Sequence, residues 1–124
     1  MTKALVIDDS RAVRMILSKT LAGLDFEVLQ ASNGKDALAV MAREGSSVAL
    51  ALVDWNMPEM DGLTFVKRLR AQPEFARVRL IMVTTETEIE MMASALEAGA
   101  DEYIMKPFTR EIVEDKLRLM GMVP

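Results

Sequence analysis

The 124-residue chain contains no cysteine and no histidine. Without cysteine there is no disulfide framework and no thiol chemistry, which fits a cytoplasmic protein. Without histidine there is no imidazole general base, no Ser-His triad and no histidine-ligated zinc. Any catalysis must therefore run on carboxylates, lysine, threonine or tyrosine. Long apolar runs are missing as well: the longest reach four to six residues, against roughly 20 needed to cross a bilayer. The opening MTKALVIDD meets two aspartates almost at once, so it cannot serve as a secretory signal. Lysine and arginine are scattered, and the net charge is −4, which argues against nucleic acid as a partner.

What is present predicts one globular domain over residues 1–124, with no output domain expected. Apolar residues make up 51% and charged residues 27%, enough to bury a single core. The 11 methionines mostly fall at core spacing in helices or in strands. Four continuous apolar runs recur: Ala4–Ile7, Ala49–Val53, Leu80–Val83 and Tyr103–Met105. None alternates with polar residues, so each predicts a strand buried on both faces, as in a parallel sheet covered by helices. The half-polar Phe26–Gln30 predicts an edge strand. Amphipathic segments lie between the runs, with Val13, Ile16, Leu17 and Leu21 on one face, then Ala37, Leu38 and Met41, then Phe65, Val66 and Leu69. Ile89, Met92 and Leu96, and finally Ile112, Val113, Leu117 and Met120, continue the series. Asn33-Gly34, Pro58, Gly99 and Pro107 punctuate the pattern. Five alternations of strand and helix predict a doubly wound α/β sandwich.

In such a sheet the carboxyl ends of the strands share one edge, where ligands bind. Asp8 and Asp9 follow the first run, Asp54 ends the run ALV, Thr84 and Thr85 end the fourth strand, and Lys106 ends the last. Each has an ordinary explanation alone: Asp9-Ser10 as a helix N-cap, Asp54 as a capping carboxylate, Thr84 as a strand residue, Lys106 as a solvated cation. Their joint placement is harder to attribute to caps and turns. Two like charges about 4 Å apart repel by about 4 kcal/mol at an effective dielectric of 20. Three aspartates beside one lysine therefore call for a hard divalent cation, and Mg²⁺ suits one or two carboxylates with water and phosphate oxygens completing its shell. A metal-facing carboxylate beside a lysine and a hydroxyl can carry phosphoryl transfer, with Asp54 the best-placed nucleophile.

From VIDDSR through ALVDWNMPEMDG and MVTTE to YIMKPF, the chain resembles a response-regulator receiver domain over nearly its whole length. The resemblance implies a flavodoxin-like (βα)5 sandwich with strand order 2-1-3-4-5. It implies that Asp54 accepts a phosphoryl group from the phosphohistidine of a histidine kinase. Asp9, Asp54 and the backbone carbonyl of Asn56 would hold Mg²⁺, with Asp8 acting through water. Lys106 would pair with the phosphoryl group, Thr84 would swing toward it, and Tyr103 would change rotamer in response. The Lys106–Pro107 bond would be cis, and Asn56 and Glu86 would tune dephosphorylation. The stand-alone chemotaxis type is the nearest pattern, with the flagellar motor switch or another effector as target and a phosphatase as a further partner. TETEIEMM departs from that pattern: Glu86, Glu88 and Glu90 stand there without a lysine, which predicts a basic or neutral target surface. Thr85 reads as strand extension and Phe108 as core. A non-motor adaptor or phosphate sink is one alternative. A Mg²⁺-dependent small-molecule phosphohydrolase is another, weakened by Asn56 where a second acid would serve and by the absence of a cap insertion.

Overall fold

A computed structural model describes residues 1–85 and 88–124. Five parallel strands form one sheet: β1 (Thr2–Ile7), β2 (Phe26–Ala31), β3 (Val48–Val53), β4 (Arg79–Thr84) and β5 (Glu102–Met105). Their order is β2-β1-β3-β4-β5, as the resemblance implies. Five helices connect them: α1 (Arg11–Ala22), α2 (Gly34–Glu44), α3 (Gly62–Arg70), α4 (Ile89–Ala98) and α5 (Arg110–Leu119).

The unbroken apolar runs make sense because both faces of the sheet are covered. Leu5, Ile7, Ala51, Val53, Leu80 and Met82 point to the side packed by α2, α3 and α4. Ala4, Val6, Leu50, Leu52, Ile81 and Val83 point to the side packed by α1 and α5. The strand period of two sends alternate residues of each run into opposite cores, and full burial of each large aliphatic side chain contributes about 1.5–3 kcal/mol. Side-chain caps start four helices. Ser10, Asn33, Asp61 and Thr109 accept from Val13 N, Asp36 N, Thr64 N and Ile112 N respectively, satisfying backbone donors that a helix start leaves unpaired.

The helical stripes are wider than the surface they cover. Ile16 is more than half exposed, Ile89 is 83% exposed, Leu96 50% and Ile112 42%. Sequence periodicity places all four on core-facing stripes, whereas the structure leaves them overhanging the sheet. For α4 and Ile112 the reason is position: they flank β5, a short edge strand that offers little sheet to pack against.

Candidate functional site

The carboxyl ends of β1 and β3 bring three acids together. One carboxylate oxygen each from Asp8, Asp9 and Asp54 lie within 4.8 Å of one another. Register explains the meeting: Ile7 pairs with Val53, so the residues that follow each strand emerge side by side. The Asp54 amide confirms the alignment by donating to Ile7 O at 2.9 Å.

Asp8 and Asp9 are adjacent yet differently held. Asp8 is buried, and every polar group it has is engaged. Its amide donates to Ala31 O at 3.2 Å, its carbonyl accepts from Arg14 Nη1 at 2.7 Å, Oδ1 accepts from Ser10 N at 2.8 Å, and Oδ2 from Lys106 Nζ at 2.8 Å. Asp9 is exposed, with no hydrogen-bond or ion-pair partner among the described residues. The N-cap reading of this segment belongs to Ser10 rather than Asp9.

Asp54 is 7% exposed, and Lys106 Nζ reaches its Oδ1 at 3.3 Å. Burial raises the Asp54 pKa, the charge of Asp8 raises it further, Lys106 pulls it back, and Asp9 adds to the rise. Burial depresses the Lys106 pKa, but Asp8 and Asp54 more than compensate and the net shift is upward. One ammonium therefore serves two carboxylates while a third stands nearby, and the cluster carries excess negative charge. Asp54 does not cap α3; Asp61 does, accepting from Thr64 N at 2.8 Å.

Gly62 holds Asp54 from behind. A Cβ built there would collide with the Asp54 backbone carbonyl, and the Gly62 amide donates to Trp55 O at 2.8 Å. The sequence shows Asp-Gly ahead of a helix, but nothing in it shows that the glycine lies against the residue eight positions earlier.

Thr84 ends β4 fully buried, and its carbonyl accepts from Lys106 N at 2.9 Å, which ties the Thr and Lys ends together. Thr85 lies beyond the strand and is exposed, so it is not a strand residue. Tyr103 is buried in β5. Phe108 is partly buried against the α1/α5 core. Asn56 is exposed in the loop after β3. The Lys106–Pro107 peptide bond is cis. Glu86 lies outside the described residues.

The donor set is all oxygen, with no histidine or cysteine in the chain. Three clustered carboxylates short of positive charge fit a small hard cation such as Mg²⁺. Among the described residues no helix is long and apolar enough to cross a membrane.

Residues 4–118 match the response regulator receiver domain. The chain belongs to that family, whose members are signalling response regulators. It is 41% identical to chemotaxis protein CheY1 of Helicobacter pylori strain J99 over 119 residues, covering 95% of each chain. It is also 41% identical to the chemotaxis protein CheY homolog of Campylobacter jejuni strain 81-176, covering 93% of this chain and 88% of that one. Among solved structures, the chemotaxis protein CheY4 of Vibrio cholerae superposes with a TM-score of 0.89 at 34% identity, covering 96% and 98% of the two chains. The phosphohydrolase alternative finds no support in these comparisons.

Proposed function

We propose that the chain is a phosphorylation-switched binding module of the chemotaxis type, with Asp54 as phosphoacceptor. The chain has no histidine, so a phosphohistidine donor belongs to a partner kinase. Attack of an Asp54 carboxylate oxygen on phosphorus forms an acyl phosphate. The phosphorus–nitrogen bond of the donor breaks, and the departing imidazole takes up a proton. Bound Mg²⁺, held by Asp9, Asp54 and the Asn56 carbonyl with Asp8 acting through water, would supply charge neutralisation at the phosphoryl oxygens. Asp8 fixes the Lys106 ammonium, which then turns to the phosphoryl group. The Thr84 hydroxyl donates to that group, and Tyr103 follows Thr84, changing the surface formed by α4, β5 and α5. Asn56 and Glu86 set the dephosphorylation rate. The protein turns over no external substrate: it works in the cytoplasm between a histidine kinase and an effector of motility, with a phosphatase as a further partner.

The three-acid, one-lysine cluster carries this reading. The test uses Trp55, the single tryptophan, buried directly after Asp54. Its fluorescence should respond saturably to Mg²⁺ and then again to acetyl phosphate or beryllofluoride, with the second response absent in Asp54→Asn. A folded protein showing neither response would rule the reading out.

A further inference from the structure

We infer that Arg14 is a positioning residue for the cation site, acting through the peptide that joins Asp8 to Asp9. The inference rests on the Mg²⁺-dependent reading proposed above and adds a group outside the acid cluster that governs how well the cluster binds. Asp9 is the loose member of that cluster. One of its carboxylate oxygens lies within 4.8 Å of those of Asp8 and Asp54, yet its side chain is exposed and has no hydrogen-bond or ion-pair partner among the described residues. Its placement must therefore come from the backbone.

The peptides on either side of Asp9 are each held by a side chain. Ahead of it, Arg14 Nη1 donates to Asp8 O at 2.7 Å, the short range of a charge-assisted bond. Beyond it, the Ser10 amide donates to Asp8 Oδ1 at 2.8 Å. A peptide unit is planar and includes the Cα atoms at both its ends, so holding the two planes fixes the backbone dihedrals of Asp9 and the direction of its Cβ. Asp8 supplies one of these holds from within the turn. Arg14 supplies the other from α1, and its Nε is braced in turn on Gln30 Oε1 of β2 at 3.2 Å.

Arg14 carries its charge without a carboxylate to match it. Arg43, Arg70, Arg110 and Arg118 each hold an acid at 3.2 Å or less. Arg14 has no ion-pair partner among the described residues, although Asp36 lines the same crevice. That carboxylate accepts instead from Ser32 Oγ at 3.1 Å and Asn33 Nδ2 at 3.3 Å. The guanidinium thus serves geometry rather than charge balance. Its charge by itself opposes a cation bound nearby, whereas its hold on the Asp8–Asp9 peptide favours one. The two effects of removing it have opposite signs, and the measured sign separates a positioning residue from a bystander.

The experiment titrates the full chain with Mg²⁺, read by Trp55 fluorescence and calorimetry, and then adds beryllofluoride; thermal melts establish that each variant is folded. Arg14→Met should weaken Mg²⁺ binding about tenfold, the scale for a group that orients a metal ligand from behind. Arg14→Lys keeps the charge and one donor, and should recover most of that loss. Gln30→Met frees only the far end of the guanidinium and should weaken binding about threefold. In an Asp9→Asn background, where the placed ligand is gone, Arg14→Met should weaken binding by about twofold at most. Unchanged or tighter Mg²⁺ binding by folded Arg14→Met would overturn the inference, and a normal beryllofluoride response would leave the phosphoacceptor reading standing. An equal loss with and without the Asp9 carboxylate would also overturn it. If Arg14→Met does not fold, unchanged binding by Gln30→Met overturns it alone. The expected order of affinities with no beryllofluoride response would sustain the inference and sink the phosphoacceptor reading, and no Mg²⁺ response from the parent chain would sink both.

Discussion

The two edges of the sheet use the same residue types to opposite ends. At the amino edge Glu27, Glu44 and Asp101 each have a cation. Lys3 Nζ sits 2.9 Å from Glu44 Oε1 and 3.8 Å from Glu27 Oε2. Arg70 clasps Asp101 Oδ2 at 3.1 Å, Gly99 O at 3.0 Å and Phe75 O at 2.9 Å, while Asp101 Oδ2 also accepts from Leu80 N at 2.8 Å. At the carboxyl edge Lys106 serves two acids, Asp8 and Asp54, while Asp9 stands beside them without a cation among the described residues. The amino edge joins α3, α4 and the strand starts into a frame. The carboxyl edge is left under electrostatic tension, which a divalent cation would relieve. Charge balance, more than residue identity, separates a structural clasp from a reactive site.

The largest effect expected is from Asp54→Asn, which should abolish phosphoryl uptake measured with a phosphorylated kinase, while the domain stays folded. The same change should raise the thermal midpoint by a few degrees at neutral pH in metal-free buffer, because it removes one of the crowded charges. Next comes Lys106→Met, which leaves the acids uncompensated. It should cost about 3 kcal/mol without Mg²⁺, with Mg²⁺ restoring part of the loss, and should slow uptake about a hundredfold. Lys3→Met, at the less buried counterpart, should shift denaturant midpoints far less. If the two lysine variants lost equal stability, the contrast between the edges would collapse.

A pair of glycines sharpens the comparison. Gly62→Ala presses a methyl group on the Asp54 carbonyl, so it should cost about 2 kcal/mol or more and also slow phosphoryl uptake. Gly99→Ala meets Arg70 Cγ at 2.5 Å, with φ at +120°. It should cost about 1–3 kcal/mol and leave uptake alone. Urea melts paired with uptake rates separate the two.

The smallest effect expected is a difference in the sign of pH dependence. The folded Asp54 pKa is raised, so stability from this source is full below the unfolded value of about 4 and is lost as pH rises through the folded value. The folded Glu44 pKa is lowered, chiefly by the Lys3 hydrogen bond and then by that of Arg43. Its contribution is present above the unfolded value and is lost as pH falls through the folded one. Asp54→Asn should therefore gain stability at neutral pH and Glu44→Gln lose it, and both differences should fade toward low pH. Parallel curves for the two variants would contradict the contrast.

The sequence made the strands legible because a strand buried on both faces needs an unbroken apolar run, and it placed the acids because every strand of a parallel sheet ends on one edge. Ile16, Ile89, Leu96 and Ile112 were misplaced for a definite reason. A stripe that meets the core and one that overhangs the sheet share the same period. Arg70 and Asp101 are 31 positions apart and meet only after folding, and the glycine behind Asp54 is likewise a tertiary requirement. The unequal anchoring of Asp8 and Asp9, two identical neighbours, also depends on contacts that no local pattern carries.

That inequality governs the thermodynamics of loading. Asp8 is immobilised at its amide, its carbonyl and both carboxylate oxygens before any ligand arrives, so its ordering entropy belongs to folding. Of the two neighbours, only Asp9 still has side-chain freedom to surrender on cation binding, an expense of about 0.5–1.5 kcal/mol. Half of the acid pair is thus preorganised, and the calorimetric entropy of Mg²⁺ binding should be dominated by water release rather than by stiffening of the protein.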